Sequence, residues 1–251
     1  MKRLLILIFF LPFIAFAQKD SILSGAYSWQ QPVAKRGTIS SVVLLEGKAY
    51  DFDWMQFAAN KIPGKTEIKQ TIPANQEQLL IVRSGSITIH FANSSFVLTA
   101  NSVAVLMAGE KYSLSNTSMT DADFFSMKYK GKKAADVQRE GKSFVKILEN
   151  IPFKPNNNGG GRRAFFEQPT VMQKRFEMHV TTLKEGLKSH EPHTHRAEEI
   201  ILMINGETEM LLGDKSYKTQ AGGFYYAGTN VLHGIKNIGS TPCMYFAIQF
   251  E

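Results

Sequence analysis

The chain has 251 residues, a length that suits one large domain or two of ordinary size, and 43% of them are hydrophobic, enough for a buried core. Its net charge of +7 is spread along the sequence without a dense block of Lys and Arg, which argues against nucleic-acid binding and favours small anions as ligands. Cys243 is the single cysteine, so an intramolecular disulfide is excluded.

The first element in the chain is an N-terminal leader. Lys2 and Arg3 precede an apolar run over residues 4–16, and residues 15–17 read Ala-Phe-Ala, the small-x-small pattern of a signal-peptidase site. The run is short for a membrane span, so we predict a signal peptide over residues 1–17, with an uncleaved anchor as the alternative. Cleavage would lower the net charge from +7 to +5 and leave a periplasmic or secreted protein without a stable membrane anchor.

The rest of the sequence consists of short β-branched and aromatic runs separated by Gly, Asn, Ser and Pro, which predicts an all-β sandwich or barrel. Two segments recur at an offset of 121 residues: 78–85 aligns with 199–206, and 112–116 aligns with 233–237. This unbroken register predicts a duplication, with a first barrel over residues 18–148 and a second over 149–251. Residues 154–163, rich in Asn and Gly, are predicted to form a flexible loop.

A cluster of histidines in the second half carries the clearest chemical signal. His193 and His195 are two residues apart and share one face of a strand, and Glu199 has the same parity. His233, on a later strand, can complete a set of four ligands. Imidazoles with one carboxylate suit a divalent transition metal, and we expect manganese, with iron, nickel, cobalt or zinc as alternatives. Such a set leaves one or two coordination positions open.

These residues resemble the two sequence motifs of the cupin superfamily. The first motif, G-x5-H-x-H-x3,4-E-x6-G, is matched, with one extra residue after the first Gly, by Gly186, His193, His195, Glu199 and Gly206. The second, G-x5-P-x-G-x2-H-x3-N, is matched at Gly222, His233 and Asn237, with Gly228 and Asn230 replacing the Pro and the second Gly. Asn tolerates a left-handed backbone, so a tight turn at Asn230 is expected. The resemblance implies two tandem cupin barrels, each a double-stranded β-helix or jelly roll.

The first barrel lacks the ligand set. The positions that correspond to the four ligands hold Ile72, Ala74, Gln78 and Tyr112. Ile and Ala cannot bind a metal, and Gln and Tyr are poor ligands. We therefore predict a metal-free, structural first barrel.

Several residues are candidates for proton transfer near the metal. Alternation over residues 175–180 places Glu177 and His179 on one face of a strand. If that face looks into the barrel, both are acid–base candidates, and if it looks outward, both are surface residues. Glu198 has the opposite parity to Glu199 and is a third candidate for moving a proton, with a solvated residue or one that supports the ligands as the alternative.

Three further residues are candidates for substrate binding. Arg162 and Arg163 follow the Gly-rich loop and could bind a substrate carboxylate through paired hydrogen bonds, or form an interdomain or solvated pair instead. Tyr225 and Tyr226 face opposite ways, so at most one of them lines the pocket, and Tyr225 is the candidate.

The overall arrangement is similar to the (S)-ureidoglycine aminohydrolase family, manganese enzymes with two cupin barrels whose C-terminal barrel holds the metal. Their ligand positions carry Glu, His, His and Gln, so that substrate is not carried over. Oxalate decarboxylases have the His-His-Glu-His set, but in both barrels. We predict a metal-dependent hydrolase, isomerase or lyase acting on a small anionic metabolite or sugar acid. The alternatives are a non-catalytic periplasmic binding protein for a small sugar or metabolite and an Fe(II)-dependent dioxygenase; homo-oligomerisation is left open.

Overall fold

The computed structural model describes residues 21–131, 141–157 and 159–251, so the predicted signal peptide lies outside the described residues. Within these ranges the chain forms twenty β-strands and one turn of 3-10 helix at Leu148–Asn150. The prediction of an all-β fold is confirmed. No helix in this part of the chain has the length and apolar character needed to cross a membrane.

The strands of the first half are β1 (Gly25–Tyr27), β2 (Ser40–Gly47), β3 (Phe52–Ile62), β4 (Thr66–Thr71), β5 (Glu77–Ser84), β6 (Ile87–His90), β7 (Ser95–Leu98), β8 (Val103–Leu106), β9 (Lys111–Asn116), β10 (Ala122–Gly131) and β11 (Phe144–Lys146). Those of the second half are β12 (Lys154–Pro155), β13 (Gly161–Gln168), β14 (Phe176–Leu183), β15 (Glu198–Asn205), β16 (Glu207–Leu212), β17 (Lys215–Gln220), β18 (Phe224–Ala227), β19 (His233–Asn237) and β20 (Cys243–Phe250).

The strands form two barrels, each built from a large and a small antiparallel sheet. The large sheet of the first barrel has the order β11-β8-β5-β10-β3-β2, and its small sheet has the order β4-β9-β6-β7. In the second barrel the orders are β1-β18-β15-β20-β14-β13-β12 and β17-β16-β19. The predicted pair of β-barrels is therefore present.

The offset of 121 residues extends over most of this architecture. It places β2 on β13, β5 on β15 and β8 on β18 with coincident bounds. The recurring turn glycines also correspond, since Gly85 and Gly206 both adopt positive φ, 75° and 76°. A Cβ on Gly206 would lie 2.5 Å from the Cβ of Cys243, so both backbone conformation and space favour glycine there.

The two barrels exchange edge strands. β1, which precedes the first barrel in sequence, pairs with β18 of the second barrel. β11, which precedes the second barrel, pairs with β8 of the first. Each large sheet is thus completed by a strand from the segment that leads into the other barrel, which ties the barrels together through backbone hydrogen bonds.

The large sheets also pack against each other face to face. Phe57 of the first barrel contacts Phe224 of the second with ring centroids 4.7 Å apart, and Phe52 stacks on Phe250 at 5.1 Å. A central strand such as β15 consequently has two buried faces. Ile200 and Leu202 face the layer between the barrels, whereas Ile201 belongs to the interior of the second barrel. This explains the continuous apolar runs in the sequence, since a strand buried on both faces needs no polar alternation.

Candidate metal centre

The segment that carries the first histidines departs from regular strand pairing. In the first barrel, β4 pairs with β9 without a break. The corresponding segment of the second barrel is anchored to β19 through two isolated bridges, Lys188↔Lys236 and His193↔His233. Between these bridges the segment 188–193 advances by five residues while β19 advances by three, so the segment carries a bulge of two extra residues. The bulge includes Pro192, which cannot donate a ladder hydrogen bond.

The backbone brings the histidines together at the end of this bulge. His193 and His233 exchange both of their N–H···O=C hydrogen bonds, at 3.0 and 2.9 Å, so their side chains leave the same face. Asn230 adopts the expected left-handed conformation with φ 58°, and its N–H donates to the carbonyl oxygen of His195 at 2.9 Å. The ligating nitrogens of His193, His195 and His233 can all lie within 4.8 Å of one another.

The protonation of two of these rings is determined by the backbone. Nδ1 of His195 lies 2.8 Å from the carbonyl oxygen of Ala197, and Nδ1 of His233 lies 2.8 Å from that of Val231. A carbonyl can only accept, so each Nδ1 carries the proton and each Nε2 presents a lone pair. Both Nε2 atoms are buried and have no hydrogen-bond partner among the described residues. Buried acceptors without partners are costly, and a bound cation would satisfy them.

Glu199 supplies the anionic partner. Its Oε2 lies 3.3 Å from Nε2 of His233 and 3.9 Å from Nε2 of His195. Donor atoms held at about 2.1 Å from a common ion lie roughly 3 to 4.2 Å from one another, so these spacings fit a shared metal. The three histidines can therefore hold a metal together, Glu199 lies beside two of them, and imidazoles with a carboxylate suit a divalent transition metal.

Electrostatics in the cluster favour an ionised Glu199. Burial raises the pKa of this carboxyl, but the neighbouring His233 and Gln249 lower it more, so the pKa lies below its usual value. Burial lowers the pKa of His233, yet the adjacent Glu199 and the Val231 carbonyl outweigh burial and raise it. The pKa of His193 is lowered, by burial first and then by the surrounding histidines. Metals bind the ionised carboxylate, which this environment favours, and neutral imidazoles, so metal binding displaces the proton from His233 wherever that ring is charged.

Gln249 holds the carboxylate of Glu199 in place. Its Nε2 donates to Glu199 Oε1 at 3.1 Å, and its Oε1 accepts from Nη1 of Arg175 at 3.2 Å. The guanidinium can only donate, which determines the orientation of the amide. With Oε1 engaged by Gln249, Oε2 is the oxygen directed at the histidines.

We expect Gln249→Leu to weaken metal binding by about 10- to 100-fold, the usual effect of losing a hydrogen bond to a ligand. The dissociation constant for Mn²⁺, measured on metal-free protein, tests this. Gln220→Leu, at an exposed position on β17, is the matched control and should leave the constant unchanged. Equal dissociation constants for the two variants would show that Gln249 does not orient Glu199.

A cavity of about 440 Å³ opens beside the histidines. Its wall includes Arg162, Glu177 and His179, so the inward-facing alternative for Glu177 and His179 is the one observed. Arg162 Nη2 contacts both Glu177 Oε1 and, at 2.9 Å, Nδ1 of His179. Burial, together with the charge of Arg162, lowers the pKa of His179. The ring is therefore neutral near pH 7. Its Nδ1 lies beside both a donor, Arg162, and an acceptor, Glu177 Oε1 at 3.1 Å.

The structure does not bring the other three candidates into the cavity. Glu198 points into the layer between the barrels, where Tyr226 and the backbone of Tyr50 donate to it. Arg163 donates to the carbonyl of Ile151, because it alternates in direction with Arg162 along β13. Tyr225 does face the interior of the second barrel, but its hydroxyl is buried against Thr208 rather than at the cavity.

Sequence reasoning did not assign two residues of the cavity wall that contact proposed ligands. Gln249 is a polar residue on the inward parity of the apolar strand β20, and that pattern could have revealed it. His190 lies in the bulge, and its ring packs edge-on against His193 with centroids 4.2 Å apart. No sequence pattern gives the direction of a side chain in an irregular bulge.

Comparison with known proteins gives the same fold. Residues 179–249 match the cupin domain family. No curated protein sequence matches the chain significantly. Its structure is similar to AerE from Microcystis aeruginosa, with 15% identity, a TM-score of 0.67 and coverage of 90% of this chain and 98% of that one.

Two other solved structures are similar over most of the chain. A cupin 2 conserved barrel domain protein from Leptotrichia buccalis shares 12% identity with a TM-score of 0.61, covering 87% of this chain and 92% of its own. Bacillus subtilis oxalate decarboxylase shares 12% identity with a TM-score of 0.65, covering 93% of this chain and 79% of its own. The family match shows a cupin domain in the second barrel, and the similar solved structures share the fold of this chain over most of its length.

Proposed function

We propose that this chain is an exported metal-dependent enzyme that acts on a small anionic metabolite or sugar acid in the cavity of its second barrel, as a hydrolase, isomerase or lyase. The observation that carries the proposal is the placement of Arg162 and His179 in the same cavity as the convergent histidines. A purely structural metal site needs neither a half-exposed guanidinium nor a neutral imidazole beside it.

The donor set would be His193, His195, Glu199 and His233, with manganese as the expected ion. When bound there, a divalent ion supplies Lewis-acid chemistry to a substrate oxygen. The remaining steps belong to the chain's own residues. The guanidinium of Arg162 has five N–H donors, so contacts with Glu177 and His179 leave others for a substrate carboxylate.

His179 is the proposed proton-transfer group. Its Nδ1 lies 3.1 Å from Glu177 Oε1, and in the tautomer in which Nδ1 donates to that carboxylate the lone pair on Nε2 can take a proton from the substrate and return it to the product. Glu177 holds Arg162 in position, because this carboxylate accepts from Arg162 on one oxygen and from Arg175 on the other. A carboxylate that pairs with two guanidinium groups orients both of them.

Metal analysis tests the first half of the proposal. The protein should be purified from the periplasm without a histidine tag, and its metal content measured by elemental analysis. We expect about one equivalent of metal per chain in the wild type, since the described residues offer one such histidine group, and none in His193→Ala. Metal-free wild-type protein that also fails to take up added Mn²⁺, Fe²⁺, Co²⁺, Ni²⁺ or Zn²⁺ would overturn it.

Anion binding tests the second half. We expect Arg162→Met to weaken the binding of small carboxylates, titrated by calorimetry against the metal-loaded protein, by about tenfold or more, because a charge-assisted hydrogen bond is worth about 1.5–3 kcal/mol. Arg163→Met removes the neighbouring guanidinium, which bonds to Ile151 away from the cavity, and should bind as the wild type does. Equal weakening in both variants would contradict the assignment of Arg162. Anion binding without turnover of any anion would favour a binding protein instead.

A further inference from the structure

The metal-binding segment is held from outside its own barrel. Three of the four proposed ligands lie between His193 and Glu199, and the residues between His195 and Glu199 turn away from the cavity. Arg196 and Glu198 reach instead to residues 50–51, in the turn between β2 and β3 of the first barrel. This turn is closed by a hydrogen bond from Ala49 N–H to the carbonyl of Phe52 at 3.1 Å.

Arg196 binds the turn through a two-pronged ion pair. Its Nη2 lies 2.8 Å from Asp51 Oδ1, and its Nη1 lies 3.1 Å from Asp51 Oδ2. Nη1 also donates to the carboxylate of Glu251 at 2.7 Å, and the guanidinium lies over the ring of Tyr50 at 5.3 Å. Paired N–H···O bonds fix both the distance and the orientation of the two groups. The backbone next to His195 is thereby fixed against the first barrel.

Glu198 is held by the same turn, but as a hydrogen-bond acceptor, whereas Arg196 is a donor. Its carboxylate is 2% exposed and accepts from the backbone N–H of Tyr50 at 2.9 Å and of Asp51 at 3.4 Å. Successive residues of a strand face opposite ways, so fixing Glu198 toward the first barrel directs Glu199 into the cavity. The Tyr50–Asp51 turn therefore binds two side chains of the metal-binding segment. The Asp51 carboxylate binds the Arg196 guanidinium, and the backbone N–H groups of the turn bind the Glu198 carboxylate.

We propose that the first barrel, which lacks the ligand set, positions the metal ligands of the second: its Tyr50–Asp51 turn binds Arg196 and Glu198, so that His195 and Glu199 converge. The inference rests on the metal site in the proposed function. It gives the first barrel a role that its missing ligands leave open. Because coupling between sites is reciprocal, a bound metal must in turn stabilise this turn.

The chain provides matched controls. The offset of 121 residues places Glu77 on Glu198, and Glu77 is likewise buried between the barrels, where Tyr129 donates to it at 2.8 Å and Thr170 at 2.6 Å. Glu77→Gln therefore perturbs the same interface without touching the metal segment. Asp53, an exposed residue two positions after Asp51, allows the same change of charge in the same strand region.

The test is a titration of the full-length mature chain, made metal-free, with Mn²⁺ followed by electron paramagnetic resonance. We expect Asp51→Asn and Glu198→Gln to raise the dissociation constant by about 10- to 100-fold, and Arg196→Lys by less, since a lysine keeps the charge but loses the two-pronged geometry. Asp53→Asn and Glu77→Gln should stay within about threefold of the wild type.

Hydrogen exchange provides the reciprocal measurement. In the wild type, Mn²⁺ should slow amide exchange at Tyr50 and Asp51, and this protection should be lost in Arg196→Lys. If Asp51→Asn and Glu198→Gln bind Mn²⁺ as tightly as the two controls, or if Glu77→Gln weakens binding equally, the inference is overturned while the metal site stands. If the wild type binds none of the candidate metals, the proposed function fails and the inference with it.

Discussion

Replacing His233 with alanine is expected to abolish stoichiometric metal binding. His233 is 3% exposed, its Nε2 is buried without a hydrogen-bond partner, and Glu199 lies 3.3 Å away. Its loss removes both a ligand and the ring that helps keep Glu199 ionised, so we expect affinity for Mn²⁺ to fall by more than about 100-fold, beyond the effect of losing an outer hydrogen bond. Elemental analysis and a Mn²⁺ titration measure the effect.

His90→Ala is the matched control for this experiment. His90 lies on β6 of the first barrel, where its ring nitrogens contact the hydroxyls of Ser95 at 2.8 Å and Ser115 at 2.9 Å. Both nitrogens are already satisfied, and the ring is far from the cluster in the fold. Metal binding should be unchanged in this variant. If His233→Ala binds Mn²⁺ as tightly as the wild type, the metal does not bind at the histidine cluster.

Replacing Phe52 with alanine is expected to destabilise the whole molecule by about 3–5 kcal/mol, the cost of removing a fully buried aromatic ring. Phe52 has no exposed surface and stacks on Tyr129 of its own barrel at 4.7 Å and on Phe250 of the other at 5.1 Å. The ring therefore belongs to the layer that both barrels share. The free energy of unfolding, from denaturant titration of the metal-free protein, measures the loss.

Val43→Ala is the control for this second experiment, since Val43 lies on edge strand β2 and is 45% exposed. Its effect should stay within about 0.5 kcal/mol. Because the barrels share a core and exchange edge strands, we also expect one cooperative unfolding transition. Two separate transitions, of which Phe52→Ala shifts only one, would show that the shared layer does not couple the barrels.

Much of this architecture could be predicted from the sequence because its signals are local. The recurrence of residues 78–85 at 199–206 reflects a strand and a turn glycine that occupy the same place in each barrel. The spacing of His193, His195 and Glu199 predicts strand alternation, but β15 begins only at Glu198 and His193 is held by an isolated bridge to His233. The exchange of β1 and β11 between barrels carried no such signal, because three-residue edge strands are too short to show a pattern.

The sequence does not show which face of a strand looks into the cavity. Parity shows that Glu177 and His179 lie together and that Glu198 is opposed to Glu199, but not which side of a sheet is the cavity. In most antiparallel sheets the polar face is the solvent face, so composition decides. Here each large sheet is buried on both faces. One face packs on the interior of its own barrel and the opposite face packs against the other barrel, so composition no longer distinguishes the two sides.

The sequence by itself therefore determined which residues share a strand face, the internal duplication and the identity of the histidine cluster. Only the tertiary structure decided that Arg162 and not Arg163 reaches the cavity, that Glu198 serves the contact between barrels, and that Gln249 supports Glu199. The physical reason is that these choices depend on how two sheets pack and on where a bulge turns the chain. The contact of Glu198 with Tyr50 joins residues 148 positions apart, and that of Gln249 with Glu199 joins residues 50 apart, which no local pattern encodes.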